Sequence, residues 1–388
     1  MNINNLLISL LRSKVVGGEP DLDLIRGLSA KEFKTLYDLS LFHEVAHIVG
    51  AVITESGVLQ EASQEYALFR NEHMLAVFRY RRLADELSII SELFEREGVA
   101  HIALKGSVLR DYYPEPWMRT SCDIDILVKR EQLEQAKMLL VDSLGYTYLS
   151  KTGHDLSLES ATGVHLELHF ALIEDYILKK THKLLSSVWD SATLVPEKKY
   201  TYAMTDEFFY FYHILHMAKH FLSGGCGIRG FIDLWILKTA FPDNSEKRES
   251  LILKGGLASF ERTANRLLCV WFDGAEHDEI TLSFERFVFS GGAYGTVEGG
   301  ASVGVARKRS RLKYIMSKVF LPYKAMENMY PALEKRKYLL PFYHIKRWCR
   351  IIFKTGSRRG RVIISTSKNI SSQELDDMQR LLDTLEIC

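Results

Sequence analysis

The chain has 388 residues, 47% of them apolar and 26% charged, a globular balance that excludes a disordered or collagen-like polymer. The net charge of +1 excludes a global field that would by itself select nucleic acid or an anionic membrane as partner. The early apolar run Leu6–Leu11 is broken by Ser9, closed by Arg12 and followed by no small-residue cleavage site, and the five cysteines are odd in number, scattered and without a C-x-x-C pair, so no membrane span, secretory signal, disulfide framework or zinc ribbon is expected, and a reducing, cytoplasmic compartment is.

The first hundred residues read mostly as helix and end in a segment where Leu83, Leu87, Ile90 and Phe94 recur at helical spacing before Gly98. From Val99 the pattern changes to strand (99–104), turn (Lys105-Gly106-Ser107), a short helical turn, and a loop holding Pro114 and Pro116. Residues 122–128 alternate as a strand, with Asp123 and Asp125 on one face and Ile124 and Ile126 on the other. Helical spacing returns over 131–144 through Leu133, Ala136 and Leu140, and Gly145 closes it. Three further strands are predicted at 146–149, 155–158 and 164–170, the last entered through the turn Ala161-Thr162-Gly163.

After Pro196 the reading is helical almost throughout. Six glycines between Ser290 and Gly304 predict a long loop, 290–304, as an ordered lid or a flexible connection. From 307 to 361, 17 lysines and arginines stand against Glu327 and Glu334, and residues 371–388 read as a terminal amphipathic helix. The expected fold class is α+β: an N-terminal helical segment (1–80), a small mixed-sheet core (81–195), an all-helical domain (196–350) and a tail with a final helix (351–388).

The strongest constellation for chemistry is Lys105-Gly106-Ser107, Arg119, Asp123-x-Asp125 and Glu167. Two aspartates one residue apart on a strand point the same way, and a carboxylate on a neighbouring strand completes an oxygen cage suited to a pair of Mg²⁺ ions. Such ions clamp an attacking hydroxyl and a nucleotide α-phosphate, while the small turn opening a helix lets backbone N–H groups approach the phosphates. The other D-x-D, Asp21-x-Asp23 behind Pro20, reads as a helix start.

Leu104-Lys105-Gly106, Arg119-x₃-Asp123-Ile124-Asp125-Ile126-Leu127-Val128 and Leu166-Glu167-Leu168-His169 together resemble the uncharacterised nucleotidyltransferase-like family of the DNA polymerase beta superfamily. His213-x₂-His216-x₂-Lys219-His220, Arg229 and Ile232-Asp233-Leu234 resemble that family's helical-domain signature, so the likeness covers roughly 65–345. The resemblance implies Mg²⁺-dependent nucleotidyl transfer from a nucleoside triphosphate to an acceptor it does not identify. Asp123, Asp125 and Glu167 are then metal ligands and catalytic carboxylates, and Lys105, Gly106, Ser107 and Arg119 form the nucleotide site. His169, His216, Lys219, His220 and Arg229 would line the cleft.

Alternative readings stand beside these. Lys105 and Arg119 also fit structural ion pairs with the aspartates. The stripe His213/His216/His220 fits core packing better than zinc, because no cysteine or carboxylate spacing closes a site. The basic segment 307–361, interleaved with Tyr314, Tyr323, Tyr330, Tyr338, Phe342, Tyr343 and Trp348, suits nucleic acid or a membrane surface, or simply solvated helix faces. The alternative function is a catalytically inactive nucleotidyltransferase fold that binds RNA, membrane or a protein through those helices.

Overall fold

Among the described residues, alternation along short apolar strands produces a seven-stranded mixed sheet. Its strands are β1 (His101–Ala103), β2 (Asp123–Val128), β3 (Thr147–Lys151), β4 (Asp155–Glu159), β5 (His165–His169), β6 (Ala192–Leu194) and β7 (Thr201–Met204), in the order β3-β4-β5-β2-β1-β7-β6. The computed structural model describes residues 2–60, 63–172, 181–242, 246–350 and 370–387. Helices lie before, behind and after the sheet, as the α+β expectation requires.

The helix Gln64–Arg96 opens at Ser63, whose hydroxyl accepts from Tyr66 N at 3.2 Å, and ends where Gly98 takes φ +76°. Its buried Leu83, Ile90, Leu93 and Phe94 pack with Leu133, Ala136 and Leu140 of the helix Leu133–Leu144 on the apolar back of the sheet. That back is built from the alternate residues Ile124, Ile126, Leu166 and Leu168, all fully buried. The opposite face is left to the charged residues. Asp21 caps the helix Leu22–Arg26 by accepting from Leu24 N, in keeping with its reading as a helix start.

The helices before residue 56 and those after residue 205 share one apolar core, to which Leu7, Ile48, Phe211, Phe231 and Phe284 all belong. The terminal helix Ser372–Leu385 buries Met378, Leu381, Leu382 and Leu385 in the same core.

Two expectations are corrected. No strand is expected after 164–170, and helix is expected from 196, yet the hairpin β6–β7 extends the sheet to Met204, with β7 parallel to β1. Both strands are short and at most partly buried, so they lack the apolar run that marks β1. The stretch 290–304 is not a long loop: the helix Glu279–Gly291 and the helix Val297–Lys308 leave only five residues between them. Its glycines serve packing, because Gly224 and Gly225 come against Gly291, Gly295, Gly299 and Gly300 so closely that side chains would collide with backbone.

The basic segment contributes the helices Arg311–Val319, Tyr323–Met329 and Leu340–Arg350, while 351–361 lies outside the described residues. No helix among the described residues is long and apolar enough to cross a membrane.

Candidate active site

Strand register assembles one wall of a cleft. β2 and β5 run parallel with Asp125 opposite Glu167 and Asp123 opposite His165. β4 is antiparallel to β5, placing Ser157 beside Glu167 and Asp155 beside His169. Because alternate residues share a face, the carboxylates of all three strands leave the sheet on the side away from the apolar back.

Asp125 is the hub. One carboxylate oxygen, Oδ1, accepts from Lys105 Nζ at 2.8 Å and from His169 Nε2 at 2.7 Å, so Oδ2 is the oxygen left to other partners. Burial pushes this carboxyl up, but Lys105 and His169 outweigh it and hold it well below the carboxylate range. Glu167 is also lowered, chiefly by His169, whose Nε2 lies 3.3 Å from Glu167 Oε2. Burial would neutralise His169, and its hydrogen bonds to the two carboxylates raise it instead. Asp123 differs: burial and then the neighbouring Asp125 charge push it up. The ligand atoms of Asp125, Glu167 and His169 lie within 4.8 Å of one another, a tight cluster to which Asp123 does not belong.

Lys105 is set by its turn. Leu104 O accepts from Ser107 N at 3.1 Å, and Lys105 sits at φ +46°, ψ −121°, a corner that glycine normally fills. The ammonium's pairing with Asp125 compensates this backbone strain. Gly106 lines the cleft, and a Cβ there would sit 3.2 Å from Ser121 Cβ and 3.4 Å from Arg119 Nη1. Ser107 is buried and outside the cleft lining, and its N–H is spent on the turn, so it offers no phosphate contact in this conformation.

Arg119 does not offset the strand aspartates. Its Nε donates to Asp233 Oδ1 at 2.7 Å on the helix Gly227–Ala240, and Tyr113 OH donates to the same oxygen at 2.6 Å. This buried triad fastens the loop before β2 to the helices. Arg110, which the motif reading passed over, is the cation beside the turn: Nε donates to Gly106 O and Nη2 to Ser121 Oγ, both at 2.9 Å.

The facing wall is the helix Asp206–Ser223. His213, His216 and His220 all border the cleft; His213 is buried with Nε2 3.0 Å from Gly230 O, and the Nε2 atoms of His216 and His220 are 3.2 Å apart. Burial and then mutual repulsion hold His216 well below the usual imidazole range, and burial followed by Lys219 brings His220 down to about 4, so both are neutral near pH 7. Tyr212 lies between the walls with its hydroxyl buried and without a hydrogen-bond partner among the described residues. Arg229 is ion-paired to Glu44 and stands over the Tyr294 ring at 5.6 Å. The cleft encloses about 560 Å³.

The structure therefore brings together Lys105, Gly106, Asp123, Asp125, Glu167, His216, Lys219, His220 and Arg229 on one cleft, with Arg119 at its edge as a brace. His169 lies behind the carboxylates and orients them. Glu44, Tyr212, Tyr294, His154 and Asp155 carried no sequence signal of their own; only the tertiary fold gathers them.

A family model described as an uncharacterised nucleotidyltransferase matches residues 29–273, more than half of the chain. No curated protein and no solved structure matches.

Proposed function

This chain belongs to the uncharacterised nucleotidyltransferase family, and we propose that it moves an NMP group from a nucleoside triphosphate to a hydroxyl or phosphate acceptor in a Mg²⁺-dependent reaction. The observation that carries this reading is the register of β2 and β5: Asp125 directly opposite Glu167, with Asp123 on the same face, opening on a cleft of nucleotide size.

The donor set fits a hard divalent cation. Oxygen ligands dominate, and Asp123 is pushed up by burial and by Asp125, a repulsion that a bound cation relieves. Asp123, Asp125 through Oδ2, and Glu167 would hold Mg²⁺, which when bound supplies positive charge to the phosphates and to the attacking oxygen.

The protein's own groups do the rest. Glu167, kept ionised by His169, accepts the proton of the acceptor hydroxyl as its oxygen forms the bond to the α-phosphorus. The bond from that phosphorus to the bridging oxygen breaks, and pyrophosphate leaves with the electron pair. Lys105 Nζ, 2.8 Å from Asp125, supplies a fixed cation to the phosphates. Tyr212, His216 and His220 present uncharged polar edges to the base or acceptor.

The test is titration calorimetry with each non-hydrolysable NTP analogue and Mg²⁺, followed by transfer assays, on wild type, Asp123→Asn and Asp125→Asn. Wild type binds an analogue only with Mg²⁺, and both variants lose at least about a hundredfold in transfer. Stability separates them. Asp123→Asn keeps or raises the thermal midpoint because a crowded charge is removed. Asp125→Asn loses about 3–5 kcal/mol because the buried Lys105 ammonium is left without its anion. A folded Asp123→Asn protein with wild-type transfer would overturn the reading, as would a wild type that binds no NTP.

A further inference from the structure

His154, just before β4, and Asp155, its first residue, line the same cleft as Glu167, and nucleotidyl transfer gives them no task. Asp155 stands opposite His169 in the β4–β5 register, so both side chains leave the same face of the sheet. The ligand atoms of His154, Asp155 and His169 all lie within 4.8 Å of one another. His154 Nε2 is 3.1 Å from Asp155 Oδ2. Bonds of about 2.0–2.1 Å from nitrogen and oxygen to a tetrahedral zinc ion put two ligand atoms about 3.3 Å apart.

The second nitrogen of each ring is already held. A metal-bound imidazole gives one nitrogen to the ion and donates the other N–H to a neighbouring oxygen, which fixes tautomer and orientation. His169 Nε2 donates to Asp125 Oδ1 at 2.7 Å, and its Nδ1 is buried without a hydrogen-bond partner among the described residues. The Thr152 hydroxyl donates to Asp155 Oδ2 at 2.9 Å and lies 3.0 Å from His154 Nδ1. The same hydroxyl oxygen accepts from His154 N and Asp155 N, both at 3.3 Å, and so fixes the backbone that carries the two ligands. His154 Nε2 faces the Asp155 carboxylate, and an ion held between them is bonded by both.

We propose that His154, Asp155 and His169 bind a transition-metal ion of the zinc type, with a fourth position open to the cleft. Two imidazoles and one carboxylate select such an ion over Mg²⁺, which the all-carboxylate set at Asp123, Asp125 and Glu167 suits. The two sites meet at His169, whose opposite nitrogen orients Asp125. This assignment stands independently of nucleotidyl transfer, since it requires only the ligands.

The experiment titrates chelator-stripped, full-length protein with Zn²⁺ by calorimetry and with Co²⁺ by visible absorption. Wild type takes up a single tight equivalent of Zn²⁺, and Co²⁺ gives the intense bands of four-coordinate geometry. His154→Gln weakens Zn²⁺ at least tenfold, Thr152→Val weakens it about 10- to 100-fold through loss of the outer hydrogen bonds, and Asp123→Asn leaves it unchanged. Circular dichroism checks that each variant is folded; Thr152→Val, which removes no ligand, decides the matter if His154→Gln does not fold. Failure of wild type to bind Zn²⁺ would overturn the site. So would a Zn²⁺ affinity that survives both His154→Gln and Thr152→Val, or one that disappears in Asp123→Asn.

Discussion

The two walls of the cleft solve the same electrostatic problem in opposite ways. On the sheet wall, Lys105, Asp125 and Glu167 keep their charges in a buried setting, with the Lys105 ammonium 2.8 Å from Asp125 and His169 Nε2 within 3.3 Å of both carboxylates. On the helical wall, His216 and His220 answer burial by staying neutral and hydrogen-bonding to each other. The contrast teaches that charge persists in an interior only where the backbone brings counter-charges into register. Strand pairing does this on the sheet wall. A helix carrying histidines at positions i and i+4 offers only a second imidazole, so it gives up the proton. The cleft thus has paired charges on its sheet wall and two neutral imidazoles, beside Lys219, on its helical wall.

The contrast is most severely tested where the walls are joined. Arg119 and Asp233 are both buried, and their ion pair with Tyr113 spans from the loop before β2 to the helix Gly227–Ala240. Arg119→Met leaves the Asp233 carboxylate buried without its cation, and urea unfolding then shows a loss of about 3–5 kcal/mol. Adding Asp233→Leu restores most of that loss, because the second substitution removes the stranded charge. A single variant that costs less than about 1 kcal/mol would show that apolar packing alone joins the walls.

A smaller effect is expected at the end of the helical wall. Gly224 caps the helix Asp206–Ser223 at φ +120°, and a Cβ there would lie 2.6 Å from Thr296 O and 2.9 Å from Gly300 Cα. Gly224→Ala therefore combines a left-handed backbone with overpacking against the helix Val297–Lys308 and lowers stability by about 1–3 kcal/mol. Gly274→Ala is the comparison: its φ is +76° but nothing lies within 4 Å of the new methyl, so it should cost less. Equal thermal midpoints for the two variants would mean that the glycine contact does not hold the helical wall.

The same contrast explains what the sequence made legible. The sheet wall is local: alternation puts Asp123 and Asp125 on one face, and the run Leu166–His169 repeats the pattern on a second strand. The helices Gln64–Arg96 and Leu133–Leu144 were readable from apolar spacing and their glycine stops. What escaped depends on partners distant in sequence. Arg119 looked like a counter-charge to aspartates four and six residues away, but Asp233 is the carboxylate that the fold delivers to it. The glycines of 290–304 looked like a loop because the reason for them is the backbone at Gly224 and Gly225. His154 and Asp155 gain meaning only when antiparallel pairing sets Asp155 beside His169.

The smallest expected effect concerns how the sheet wall is closed at its far edge. Glu95, on the helix behind the sheet, accepts hydrogen bonds from Lys199 N, Tyr200 N and Thr201 Oγ1, and so clamps the entry to β7. Burial opposes ionisation of this carboxyl, but those hydrogen bonds prevail and push it from an ordinary 4.5 down to about 2. A carboxylate that is more acidic in the folded chain stabilises it fully above the unfolded value. That contribution is lost as pH falls from about 4.5 towards 2, because the unfolded state binds the proton first. Glu95→Gln should therefore flatten the acid limb of stability measured by urea unfolding between pH 5 and about 2, while barely changing the arrangement of Asp123, Asp125 and Glu167 on the other face. An unchanged acid limb in the variant would place the clamp on β7 in backbone pairing with β1 and β6 alone.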